Sequence, residues 1–200
     1  PNIPNLSLVD LPGITMIACT DKGQPSDIKQ QIQDMISKYI ENERSTILAV
    51  LPARCDIEAD PSLELIKKYD PNGDRTIGIF TKIDLMNIGT DVSDYINDNI
   101  SKDLKFKYGY YAVKNRGPSD IIDLTIEEGL NKEEQYFNNH EIYGKLNKNR
   151  FGTKNLVNNL CSILVENIRK HLPCILNELS LKKNNIENSI VRKYICVRVY

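Results

Sequence analysis

Apolar positions along the chain alternate between short continuous runs and helical stripes. Leu6-Ser7-Leu8-Val9, Ile47 to Leu51, Thr76-Ile77-Gly78-Ile79-Phe80 and Gly109 to Val113 have the pattern of buried strands. Between them Ile28, Ile32, Met35, Ile36, Tyr39 and Ile40 recur at three and four residues, which predicts a helix with Ser26 as its N-cap. Asp60 and Pro61 predict the cap and first residue of a second helix carrying Leu63, Leu65, Ile66 and Tyr69, ended by Asp70-Pro71-Asn72-Gly73. This βαβα rhythm predicts a mostly parallel sheet covered by helices, with ligands at the carboxyl ends of the strands. Residues 117–150 predict a loop followed by a short surface helix. From Thr153 a long helical pattern runs through Leu156, Leu160, Ile163, Leu164, Ile168 and Leu172 to Pro173, where a kink is expected. Lys193 to Tyr200 alternates as a strand would.

Candidate chemistry sits at the ends of the predicted strands. Thr81-Lys82-Ile83-Asp84 follows the Thr76 run, and Asp84 is a pure acceptor whose two oxygens match the adjacent N–H donors on the Watson-Crick edge of guanine. Adenine lacks that pair of donors. Lys82 can lay its methylene stem on the purine face while its ammonium stays in water. Upstream, Asp10-Leu11-Pro12-Gly13 has the D-x-x-G arrangement that P-loop nucleoside triphosphatases place at the γ-phosphate. Asp10 would hold a water of the Mg²⁺ shell, and Gly13 would let its backbone N–H approach the phosphate. Asn115 and Arg116, after the Gly109 run, could flank the base, with Arg116 either stacked beside it or solvated.

Three strand-end motifs in this order, together with Gln24-Pro25-Ser26-Asp27-Ile28, Asp70 to Gly78, Arg150-Phe151-Gly152-Thr153-Lys154-Asn155-Leu156 and Ile168 to Pro173, resemble the dynamin-type large GTPases over residues 5–180. The resemblance implies an α/β, P-loop GTPase-like fold incomplete at its N-terminus and followed by a C-terminal helix. Residues 1–172 would be the later portion of the GTPase domain, without P-loop or first switch, and residues 173–200 the start of a bundle or stalk helix with a divergent tail. It implies GTP and Mg²⁺ as ligands, GTP hydrolysis and a role in membrane remodelling, with membrane association through parts outside this chain. No side chain here stands out as a general base. Self-association through the nucleotide face is implied, with Asp56 in one contact loop and Asn87, uncharged where the family uses an acid, in the other. Pro173 would be the hinge between GTPase domain and helical bundle; on residue type alone it could merely end a helix. The alternative is a non-catalytic remnant, binding GTP weakly or not at all and docking to a complete relative.

Composition changes this picture little. Two hundred residues with 40% hydrophobic content can bury a sizeable core, and a formal net charge of -1 gives no general attraction to nucleic acid or membranes. Cys19, Cys55, Cys161, Cys174 and Cys196 are scattered without C-x-x-C pairs, as expected of free thiols in a reducing cytoplasm. With His140 and His171 as the two histidines, the set argues against a zinc site.

Overall fold

A parallel three-stranded sheet in the order β1-β2-β3 carries the first of two units, residues 1–161, in a computed structural model that describes residues 7–54 and 56–197, with side chains as far as residue 190. Its strands are β1 (Ile47–Pro52), β2 (Thr76–Thr81) and β3 (Tyr110–Ala112). Ile47 faces Thr76 and Pro52 faces Thr81, while Gly78 faces Tyr110 and Phe80 faces Ala112. Crossover helices connect them as a parallel sheet requires. Helix α1 spans Ile28–Ile40 and α2 spans Pro61–Tyr69; α3 (Ser93–Ile96) is a single turn before β3. Beyond β3 come α4 (Pro118–Asp123), α5 (Ile126–Asn139) and α6 (Thr153–Val197). This is a GTPase-like α/β fold followed by a long helix, as expected.

The central strand shows why this order holds. Five of the six β2 positions are buried, so its run of apolar residues is covered on both faces, as a parallel sheet demands. Gly78 is required there, because a Cβ would sit 2.1 Å from the Tyr110 ring that crosses it. Tyr110 stacks on Phe80 at 5.2 Å and on Phe106 at 5.1 Å, and donates its hydroxyl to the Leu104 carbonyl. Burial pushes that phenol well above its ordinary range. A second aromatic group, Phe137, Tyr143 and Phe151, seals α5 against the segment leading to α6. Burial likewise pushes the Tyr143 phenol up to about 12.

The entry end of the sheet is tied by Arg75 and Asp70. The Arg75 guanidinium donates to the carbonyls of Ile40 and Tyr69, the last residues of α1 and α2, and to Ser45. A cation is favoured at such helix C-termini. Asp70, 5% exposed, accepts from the N–H groups of Asp74 and Arg75 and from the Thr76 hydroxyl. Gly73 turns this corner at φ +68, with a Cβ position 2.7 Å from the Lys105 carbonyl oxygen. The segment from Asp70 to Thr76 is therefore a structural knot, at the end of the sheet opposite the candidate site.

Several expectations are corrected. Ser7 to Asp10 forms no strand: the run joins no ladder, and Leu8 and Val9 are 68% and 57% exposed. A strand exists only through pairing, and apolar character alone does not supply a partner. Leu6 lies outside the described residues. Helix α1 begins one residue later than expected, with Asp27 rather than Ser26 at the N-cap, and its Met35 and Tyr39 face solvent. Residues 117–150 hold α4 and the fourteen-residue α5 rather than a loop and one short helix. Pro173 does not end its helix, which continues through it. The alternation from Lys193 onward is helical as far as Val197, and residues 198–200 lie outside the description.

Candidate functional site

The loops after all three strands leave the same end of the sheet. Each ladder runs one bond past its strands: the Ala53 N–H donates to the Thr81 carbonyl at 2.9 Å, and the Val113 N–H to the Phe80 carbonyl at 2.8 Å. Thr81 adds its hydroxyl to the Leu51 carbonyl at 3.4 Å. That contact links the ends of β1 and β2 at the rim.

Lys82 then turns the chain in the left-handed region, φ 56 and ψ 34. For a residue with a Cβ this costs about 1 kcal/mol or more, and such conformations persist where the surroundings impose them. Ile83, 2% exposed, plugs into the core, and the Leu85 N–H closes a single 3-10 turn on the Lys82 carbonyl at 3.0 Å. Burying Ile83 presents its two neighbours outward. Asp84 thus projects at the rim with 31% of its side chain exposed, and the Lys114 ammonium stands 3.5 Å from its Oδ2. That ammonium also lies 5.8 Å from the Tyr136 ring centroid. Burial, and secondarily the Asp84 carboxylate, hold the Tyr136 phenol above its usual range.

The loop after β3 is fixed from below. The Lys114 N–H donates to Glu133 Oε1 at 2.8 Å, and Glu133 also accepts from the Thr153 N–H at 2.8 Å and hydroxyl at 3.1 Å. Glu133 is 3% exposed, and it satisfies one of the free N–H groups in the first turn of α6. Sequence reading missed it, because it sits in an acidic stretch read as surface. The available signal is its spacing from Leu130 and Phe137, which places a glutamate in an apolar stripe. Asn115 is exposed beside Lys114. Arg116 donates to the Leu124 carbonyl at 2.6 Å, and its stem lies where a Cβ on Gly129 would be only 2.7 Å away.

Asp10, Pro12 and Gly13 are exposed in coil, with Leu11 half-buried. Nothing lies within 4 Å of a Cβ position on Gly13, and Ile14 beside it packs against the core. No group of three or more His, Cys, Asp or Glu able to hold a metal occurs among the described residues. Asp10 offers one exposed carboxylate, which could meet a hydrated Mg²⁺ only through water and does not make an inner ligand set. Asp56 is exposed, accepting from the Glu58 N–H at 3.2 Å; Asn87 is exposed too, its carbonyl accepting from the Thr90 N–H and hydroxyl. These two lie in the loops that follow β1 and β2. Among the described residues Cys19, Cys161 and Cys174 are not in disulfides. No helix among the described residues is long and apolar enough to cross a membrane.

A parallel α/β sheet of GTPase-like architecture, with an accessible carboxylate on a strained turn at its carboxyl rim, defines the class. The chain belongs to the dynamin family: the sequence profile described as "Dynamin central region" matches residues 94–194, and that described as "Dynamin family" matches residues 1–83. It is 40% identical over 193 residues to dynamin-related protein DNM1 of Saccharomyces cerevisiae, covering 96% of this chain and 25% of that protein. Dynamin-A of Dictyostelium discoideum is 39% identical over 95% of this chain and 22% of its own length, and human Dynamin-2 is 39% identical over 95% and 21%. The chain thus spans about a quarter or less of the relatives it matches.

Proposed function

We propose that this chain carries the guanine-selecting rim and the γ-phosphate loop of a dynamin-type GTPase that hydrolyses GTP with Mg²⁺ in membrane remodelling. Asp84 reads the guanine edge, Lys82 covers one face of the base, Thr81 and Ile83 hold the turn, and Asn115 and Arg116 belong to the flanking loop. Asp10 to Gly13 meets the γ-phosphate and a water of the Mg²⁺ shell. Positioning and charge neutralisation are the chemistry such sites supply, and the bound Mg²⁺ would add charge neutralisation at the phosphates. Residues 1–172 act as the nucleotide-binding portion, Pro173, inside α6, as a hinge toward the bundle or stalk segment that follows, and Asp56 and Asn87 as contacts between nucleotide faces. Membrane association comes through other segments of the full-length protein.

The observation that carries this reading is the accessible Asp84 carboxylate, presented by the left-handed turn at Lys82 and the buried Ile83. Replacing Asp84 by Asn puts an amide donor where an acceptor stood, which fits the C2 carbonyl of xanthine instead of the C2 amine of guanine. In the full-length protein, Asp84→Asn is expected to weaken GDP binding about 100-fold, two hydrogen bonds to a charged group being at stake, while XDP binding strengthens. Fluorescence titration with both nucleotides reads this. An unchanged GDP-to-XDP ratio would sink the proposal.

A further inference from the structure

We propose that Lys114 is a positioning residue for base selection, its ammonium holding the Asp84 carboxylate turned so that both oxygens face the base edge. The proposal rests on the guanine-reading role of Asp84 given above. Lys114 stands 3.5 Å from Asp84 Oδ2, with 20% of its side chain exposed, so this pair is less screened than a solvated surface pair. It is also tethered. The preceding residue is held to Phe80 by the Val113 N–H at 2.8 Å, and its own N–H is held by the buried Glu133, which Thr153 grips from the far side. The ammonium therefore reaches Asp84 from a fixed backbone, with the Tyr136 ring limiting its swing on the other side. Lys132, the neighbouring cation of the shallow depression beside Lys114, is engaged elsewhere, 3.4 Å from Asp120. Lys114 is thus the ammonium that the described contacts place on Asp84.

Such an ion pair leaves room for the base. A carboxylate has about four lone-pair directions, of which guanine N1–H and the 2-amino group use one on each oxygen, leaving another on Oδ2 for the ammonium. The torsion that turns an Asp carboxylate is broad and intrinsically weakly fixed. A fork-like contact needs that torsion set, whereas a single hydrogen bond tolerates rotation. Lys114 accordingly matters most for the second hydrogen bond, the one made by the 2-amino group.

Inosine nucleotides lack this amino group and isolate the effect. In the full-length protein, titrations of GDP and IDP with wild type, Lys114→Met and Lys114→Arg are compared, with thermal unfolding checking that each variant folds. Lys114→Met is expected to weaken GDP binding about tenfold and IDP binding about threefold, so the GDP-to-IDP preference shrinks, as loss of one charge-assisted contact predicts. Lys114→Arg, which keeps the charge, restores that preference. A structural defect would lower both affinities together and would not be rescued. If Asp84→Asn changes purine choice but Lys114→Met leaves the GDP-to-IDP ratio unaltered, or if Lys114→Arg behaves as Met does, this inference falls alone. If wild type binds neither nucleotide, the proposed function falls and takes this inference with it.

Discussion

At the scale of single residues, Glu133 has more consequences than any exposed acid in the chain. Three donors converge on its buried carboxylate, two of them part-buried backbone N–H groups. Leaving a buried donor without a partner costs about 1–3 kcal/mol each. Glu133→Ala is therefore expected to destabilise the fold by about 3 kcal/mol. Glu133→Gln, which keeps one acceptor but turns an amide donor toward the remaining N–H, should cost roughly 2 kcal/mol by the same accounting. Urea unfolding midpoints at constant slope measure both; a shift within error of wild type for Ala would show that the three bonds contribute nothing net. The residue also marks a limit of sequence reading. The rim position of Asp84 was legible because it follows a local strand pattern, whereas the contacts of Glu133 depend on Lys114 and Thr153, each about 20 positions away.

At the scale of elements, α4 and α5 are begun by acids that also make them sensitive to pH. The Gly117 N–H donates to Asp120 and chiefly holds that carboxyl below its usual range, with Lys132 adding to the effect. The Thr125 N–H, followed by its hydroxyl, does the same for Glu128. A folded-state pKa below the unfolded one gives stability that is present above the ordinary carboxylate range and lost as pH falls through the folded value. Between pH 7 and 5 the unfolding temperature should be insensitive to these groups, and below about pH 4 it should drop. In the double variant Asp120→Asn, Glu128→Gln the acid-side drop should be shallower; an identical profile would mean the caps are not the cause. Helix α2 was readable in advance because Asp60 and Pro61 encode its start locally, and the Asp60 carboxylate does accept from the Ser62 N–H at 2.9 Å. The expected strand at Ser7 to Asp10 failed for the converse reason, since its existence depends on a partner that no local pattern specifies.

At the scale of the molecule, the sheet is unevenly covered. Strand β2 is buried on both faces, but β1 alternates, with Val50 59% exposed, and among the described strands β1 pairs with β2 alone. A flat apolar strand with one unpaired row of N–H and C=O groups is a template for another chain. Exposed Leu8 and Val9 add apolar surface that is likewise uncovered. At the amino end of the strands Arg75 and Asp70 satisfy the backbone groups of the corner, so what stays open at β1 is its outer row along the edge. The 200-residue polypeptide prepared by itself is therefore expected to associate at tens of micromolar, well above its 22.8 kDa monomer mass in light scattering. A lysine on such a strand is the device natural edges use against pairing. Val50→Lys, on the exposed face, should shift the population toward monomer without lowering the unfolding temperature appreciably, because Val50 buries little. A wild-type chain that stays monomeric across that concentration range would show that the β1 edge does not recruit a second strand.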